Sequence, residues 1–201
     1  MRKTLALTKV AALAAALPLF AAAAPAVAND ANAFSVANLT PASAPITVAE
    51  VEAAQRAWGD ALVAISTAGD TQGPAAARRL AEQALDTAYG YNLGPVAFKP
   101  TLTQSPQTFR DTRAGALAYF VGGDSNFPND TGFALKHWRS YSVNNATIVI
   151  NGPTAVAMGN FTFTDRNGDT TTVDKTFGYV RDPQGALRIV LHHSSLPYSA
   201  D

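Results

Sequence analysis

The chain has no cysteine. That removes thiolate zinc sites, catalytic cysteines, redox pairs and disulfides together. Charge is also scarce: only 15% of residues are Asp, Glu, Lys or Arg, and the 15 basic side chains balance 15 acidic ones. No basic run stands out, so the electrostatic footprint of a nucleic-acid or anionic-lipid binder is missing. Three histidines are too few and too scattered in sequence to announce a metal centre. Neither a dinucleotide glycine fingerprint nor a phosphate loop occurs, and there is no G-x-S-x-G nucleophile elbow. Asp165-x-Asn167-x-Asp169 resembles the start of a calcium loop, but Thr170 and Thr176 stand where that loop needs Gly and Glu.

What is present begins with a leader. Arg2, Lys3 and Lys9 precede an apolar run from Val10 to Ala24, and Ala26-Val27-Ala28 is a small-x-small cleavage site. Residues 1–28 therefore read as a signal peptide, too short in its apolar part to span a bilayer. The expected location is periplasmic or secreted, with no membrane attachment after cleavage. The remaining 173 residues carry 12 basic and 15 acidic side chains, a mildly acidic balance, and suffice for one domain with a full core. Residues 29–45, rich in Ala, Asn, Ser and Pro, read as a flexible lead, and 46–198 as the domain.

Thr47 and Glu50 have capping-box spacing, with Ile46 and Val51 placed as a hydrophobic staple. Val51, Ala54, Trp58, Leu62 and Ile65 then share one helical face, and Gly69 is the expected stop. A second helix is predicted from Pro74, with an apolar stripe from Ala77 to Ala88. Val96 to Thr103 reads as a short or edge strand limited by Pro100, and a third helix runs from Thr112 to Val121. From Trp138 onward the pattern is β. Four strands are punctuated by Asn151-Gly152, by Asn167-Gly168 and by Asp182-Pro183-Gln184-Gly185, which makes an antiparallel meander. Helices first and meander last give an α+β class.

This order of elements, with FALKHW (Phe133–Trp138) and the ending LHHSSLPY (Leu191–Tyr198), resembles the NTF2-like superfamily. The likeness is to its calcium/calmodulin-dependent kinase II association-domain and SnoaL-like branches. The resemblance implies a cone of helices on a curved sheet, an internal pocket and pairing into homodimers or larger oligomers. It implies no cofactor. Because no catalytic carboxylate matches the family's enzymes, the leading expectation is an exported, non-catalytic domain of uncharacterised role that binds a small molecule. The alternatives are a cofactor-independent isomerase, cyclase or dehydratase acting on a small apolar carbonyl compound, and a pure oligomerisation module.

Within that frame His192 and His193 lie on opposite faces of the last strand. Strict alternation groups His193 with Leu187, Ile189 and Leu191, and this apolar company points it into the cone as a proton-transfer group. Lys175 and Tyr179, on one face of the preceding strand, are candidates to polarise a substrate oxygen. Trp58, Tyr89, Lys136, Trp138, Asn160 and His192 are candidate ligand-binding residues. Each has a plainer alternative: core for the tryptophans, a solvated side chain for Lys136, a strand-end hydrogen bond for the histidines. No metal ligands are assigned. Ser194 and Ser195 lack the turn a serine nucleophile requires.

Overall fold

The computed structural model describes residues 44–200; the expected signal peptide and nearly all of the expected flexible lead lie outside them. Helix α1 spans Val48–Gln72 and opens on the predicted box. The Thr47 backbone N–H donates to Glu50 Oε2 at 2.8 Å, and the Glu50 N–H donates to Thr47 Oγ1 at 3.3 Å. Ile46 and Val51 are both buried beside it. The helix does not stop at Gly69 but runs one turn further to Gln72, where Gly73 (φ 88°) breaks it. Gly69 serves packing instead: a Cβ there would sit 2.9 Å from a methyl of Leu135.

Helix α2 spans Pro74–Ala88 with Pro74 at its first turn, and α3 spans Arg113–Val121 behind the Thr112 cap. Between them lies a three-residue strand, β1 (Ala97–Lys99). A 3₁₀ turn at Phe133–Leu135 leads into the meander β2 (Trp138–Asn151), β3 (Thr154–Asp165), β4 (Thr170–Arg181) and β5 (Leu187–Ser195). The sheet order is β1-β5-β4-β3-β2, with only the β1–β5 pair parallel. The three helices precede a curved, mostly antiparallel sheet. This is the α+β NTF2-like cone.

The inner sheet face is aromatic. Phe161 and Phe163 on β3, with Phe177 and Tyr179 on β4, are buried against Trp58 of α1 and Phe120 of α3. Period-two alternation puts these residues inward and Val156, Met158 and Asp174 outward. Gln55 of α1 and Asn145 of β2 exchange side-chain amide hydrogen bonds at 2.8 Å, fixing the helix on the sheet beside a bulge at Ala146. Arg110 makes a buried two-pronged ion pair with Asp130, both contacts at 2.8 Å, and holds the loop after α3 against the segment before it. No helix among the described residues is long and apolar enough to cross a membrane.

Candidate functional site

The site is built where β1, β4 and β5 meet, and a bulge decides which side chains enter it. Gly178 pairs with Leu191 and Tyr179 with Ile189, so Val190 is an extra residue in β5. The crossing is tight, and a Cβ on Gly178 would lie 2.9 Å from that of Leu191. The extra residue reverses the alternation. Ile189, His192 and Ser194 are buried, while His193 is exposed. The expectation that His193 faces the cone is therefore corrected: strict period two from Ile189 fails at Val190, and His192 takes the inner position.

His192 joins a buried hydrogen-bonded chain. Trp58 Nε1 donates to the Tyr89 hydroxyl at 2.9 Å, that oxygen lies 2.8 Å from His192 Nδ1, and His192 Nε2 lies 2.9 Å from Lys175 Nζ. The register places Lys175 opposite Ser194 and Phe177 opposite His192, while parallel pairing sets Phe98 beside His192. The imidazole stacks on Phe98 with centroids 4.4 Å apart and planes 10° from parallel. Both ring nitrogens are thus held, and the ring cannot turn without breaking two hydrogen bonds.

Lys175 is 3% exposed and has no carboxylate partner among the described residues; its Nζ lies 4.4 Å from the centre of the Trp58 ring. Burial disfavours its ammonium form and lowers its pKa to about 7. His192 is held well below its ordinary value, first by burial and then by Lys175 and His193, so it is neutral. A buried amine that titrates near neutrality beside a fixed neutral imidazole is chemically able to transfer a proton, which makes Lys175 a candidate for that task.

Lys175 and His192 line a tight internal cavity, closed up in this conformation, with Trp58, Phe98, Pro100, Thr101, Tyr119, Phe120, Phe133 and Ser194. As packed in this conformation it has no room for even one water, so a ligand enters only when the side chains around it part. Three hydroxyls converge there. Thr101 Oγ1 donates to Ser194 Oγ at 2.7 Å, which commits the threonine proton and leaves the serine proton to donate elsewhere. Lys99 Nζ donates to the Ser194 carbonyl at 3.0 Å and fastens the end of β1 to β5. Tyr119, on α3, has a buried hydroxyl with no well-aligned hydrogen bond among the described residues, although the Thr101 side chain and the Thr101 and Leu102 backbone lie close to it. Burial outweighs these neighbours and pushes its pKa up, so it remains a neutral donor. An orphaned donor in a polar corner has a desolvation cost that a ligand oxygen would relieve.

The other expected residues separate. Trp58 and Tyr89 belong to the chain, though Tyr89 is deep in the core rather than at the mouth. Tyr179 is buried on the inner face but lines a different, larger cavity, so His193, Lys175 and Tyr179 do not form one site. Asn160 points outward and donates to Asp174 at 2.7 Å, because it alternates with the inward Gly159 and Phe161. Lys136 is exposed. Trp138 is core, donating to the Phe133 carbonyl at 2.8 Å. His137 pairs with Asp70 at 2.6 Å on the far side of α1, and no three His, Asp or Glu side chains converge among the described residues.

Thr101, Tyr119 and Phe98 were not singled out by sequence, since a loop threonine and aromatics on short apolar elements look like filler. Ser194 had a usable clue: it lies two residues after His192, so whatever faces His192 faces it too.

The family model described as metal-independent carbonic anhydrase matches residues 49–196. A protein of that description from Nostoc sp. (strain PCC 7120) is 61% identical over 153 residues, covering 76% of this chain and 75% of the relative. The crystal structure of an iota-carbonic anhydrase from a cyanobacterium, complexed with bicarbonate, is 60% identical, with a TM-score of 0.77 over 78% of this chain and 95% of that one. A calcium/calmodulin-dependent protein kinase II association domain from Xanthomonas campestris is similar in fold alone, at 22% identity and a TM-score of 0.51, covering 81% and 99%. These similarities support the NTF2-like fold and overturn the functional expectation. An uncharacterised binding domain or oligomerisation module is replaced by an enzyme family, and the isomerase, cyclase or dehydratase alternative has no support.

Proposed function

This chain belongs to the metal-independent carbonic anhydrase family, and from that premise we propose that it catalyses the reversible hydration of carbon dioxide in the Lys175 cavity. The observation that carries the reading is the convergence of a buried amine, a fixed imidazole and hydroxyl groups around that cavity. It is small, walled by aromatic rings on one side, and lined on the other by an amine, an imidazole and hydroxyl donors. A solved relative at 60% identity holds bicarbonate, a four-heavy-atom anion.

The roles follow from position. Carbon dioxide, apolar overall, rests against Phe98, Phe120 and Phe133. A water molecule beside Lys175 loses its proton to the neutral amine as its oxygen attacks the carbon. Negative charge then grows on the carbon dioxide oxygens, where the free protons of Tyr119 and Ser194 donate. With a tautomer that accepts from Lys175 at Nε2, His192 donates through Nδ1 to Tyr89 and leaves the amine lone pair to the cavity. Bicarbonate leaves, and the ammonium returns its proton to solvent. A single side chain thus serves as the base, the task a metal-bound hydroxide serves in zinc enzymes.

Stopped-flow hydration assays on protein dialysed against a chelator test this reading. The expected result is full activity after dialysis and about a tenfold or larger loss of kcat/KM in Tyr119→Phe, which deletes one oxyanion donor and no volume. No acceleration over buffer by the intact protein would remove the proposal.

Export and self-association belong to the same reading. The Ala26-Val27-Ala28 cleavage site and the oligomerising habit of the superfamily support them. Native mass spectrometry of protein recovered from its host should give a multimer of a chain beginning at Asn29; a monomer, or a chain retaining residues 1–28, would refute the respective half.

A further inference from the structure

A second cavity opens between α1 and α2 on the other side of Trp58, with a volume of about 190 Å³. Its mouth is framed by half-exposed alanines, among them Ala61 of α1 and Ala84 of α2, and its floor includes Phe120, Tyr179 and Ile189. No charged side chain lines it. The Tyr179 hydroxyl is buried without a partner, although Tyr179 forms part of the wall. Burial raises its pKa, so it stays a neutral group able to donate.

We propose that this cavity is a ligand site separate from the Lys175 cavity, taking an uncharged, mainly apolar small molecule with one hydrogen-bonding oxygen, such as a medium-chain alcohol or phenol. Two independent features fix that class. An opening without charge excludes ions, which would lose hydration for no partner. An orphaned hydroxyl at the floor rewards one oxygen on an otherwise apolar occupant. The volume suits an occupant of several heavy atoms rather than a drug-sized one, and the site is formed before any ligand arrives. Small residues at the mouth keep it open, since longer side chains at Ala61 and Ala84 would fill it.

Trp58 separates the two cavities and carries the hydrogen bond to Tyr89, so an occupant here touches the outer end of the chain that holds His192. The inference does not depend on the carbonic anhydrase reading, because its test measures binding alone.

Isothermal titration with 1-hexanol decides it. The intact protein should bind hexanol with a negative heat-capacity change, the mark of apolar burial. Ala61→Phe, which blocks the mouth from a half-exposed helical position, should abolish the binding heat. Tyr179→Phe keeps the shape and should weaken hexanol about 3–10-fold, the worth of one hydrogen bond. Both variants are checked for folding by thermal melting, and Tyr179→Phe should melt no lower than the parent because the hydroxyl it removes is unpaired. Absence of hexanol binding to the intact protein, or binding unchanged in a folded Ala61→Phe variant, would overturn the proposal.

Discussion

Lys175→Met should lower kcat/KM for carbon dioxide hydration by about 10²- to 10⁴-fold, the span attributable to a positioned general base. Methionine keeps an unbranched apolar chain of similar length in a site walled by Trp58, Phe161 and Phe177, so packing survives while the amine is lost. The pH profile makes the assignment specific. Burial sets the amine at about 7. Hydration needs the unprotonated form, so the parent rate should rise with pH through about 7 and level above it. In the methionine variant that rise should vanish from the residual rate. His192→Gln should behave differently, losing activity through misplacement of Lys175 while a pH-dependent arm remains at a shifted position. Retention of more than a tenth of parental activity by a folded Lys175→Met protein would exclude the amine as proton acceptor.

The elements of this fold were legible because each is written locally. The Thr47–Glu50 box, Pro74 at the start of α2, Thr112 before α3 and Asn167-Gly168 in the hairpin turn all act over a few residues. Lys175 was also legible, as a cation on a strand face otherwise composed of Val173, Phe177 and Tyr179. The site as a whole was not. Its residues come from α1, the end of α2, β1 and the loop behind it, α3, β4 and β5. Only the assembled fold brings Thr101 to Ser194 and Tyr119 to the same cavity. The error over the histidines has a sharper cause. Period-two reasoning assumes an unbroken ladder, and the one-residue bulge at Val190 turns every side chain after it to the other face. A bulge is set by the strand opposite, here by Gly178, and β5 read alone carries no trace of it. Function is hidden for a related reason: the superfamily's enzymes carry a carboxylate base inside the cone, and here a buried lysine occupies the inner face instead.

That lysine should also govern how stability depends on pH. The ordinary pKa of Lys is 10.5 and the folded value is about 7. Between those values the unfolded chain binds one proton more than the folded chain, so stability rises with pH, by up to ~1.4 kcal/mol per pH unit. Below pH 7 both states are protonated and the cost of burying the ammonium is felt in full. Above about 10.5 both are neutral and the cost is gone. The whole interval amounts to a destabilisation on the order of 5 kcal/mol at low pH relative to high. Between pH 7 and 9, where carboxylates are ionised and histidines neutral, the gain should be about 2 kcal/mol. Urea titrations in bicarbonate-free buffer should show it as a midpoint that climbs with pH in the parent and stays level in Lys175→Met, with the variant the more stable of the two at pH 6.5. Parallel curves for the two proteins would mean that the ammonium is not disfavoured in the folded chain and would remove the basis for a neutral amine at pH 7. Bicarbonate gives the complementary test at pH 6.5. As a counter-ion for the buried ammonium it should raise the midpoint of the parent and leave that of Lys175→Met unmoved, because an anion that binds only the folded, charged site stabilises by mass action.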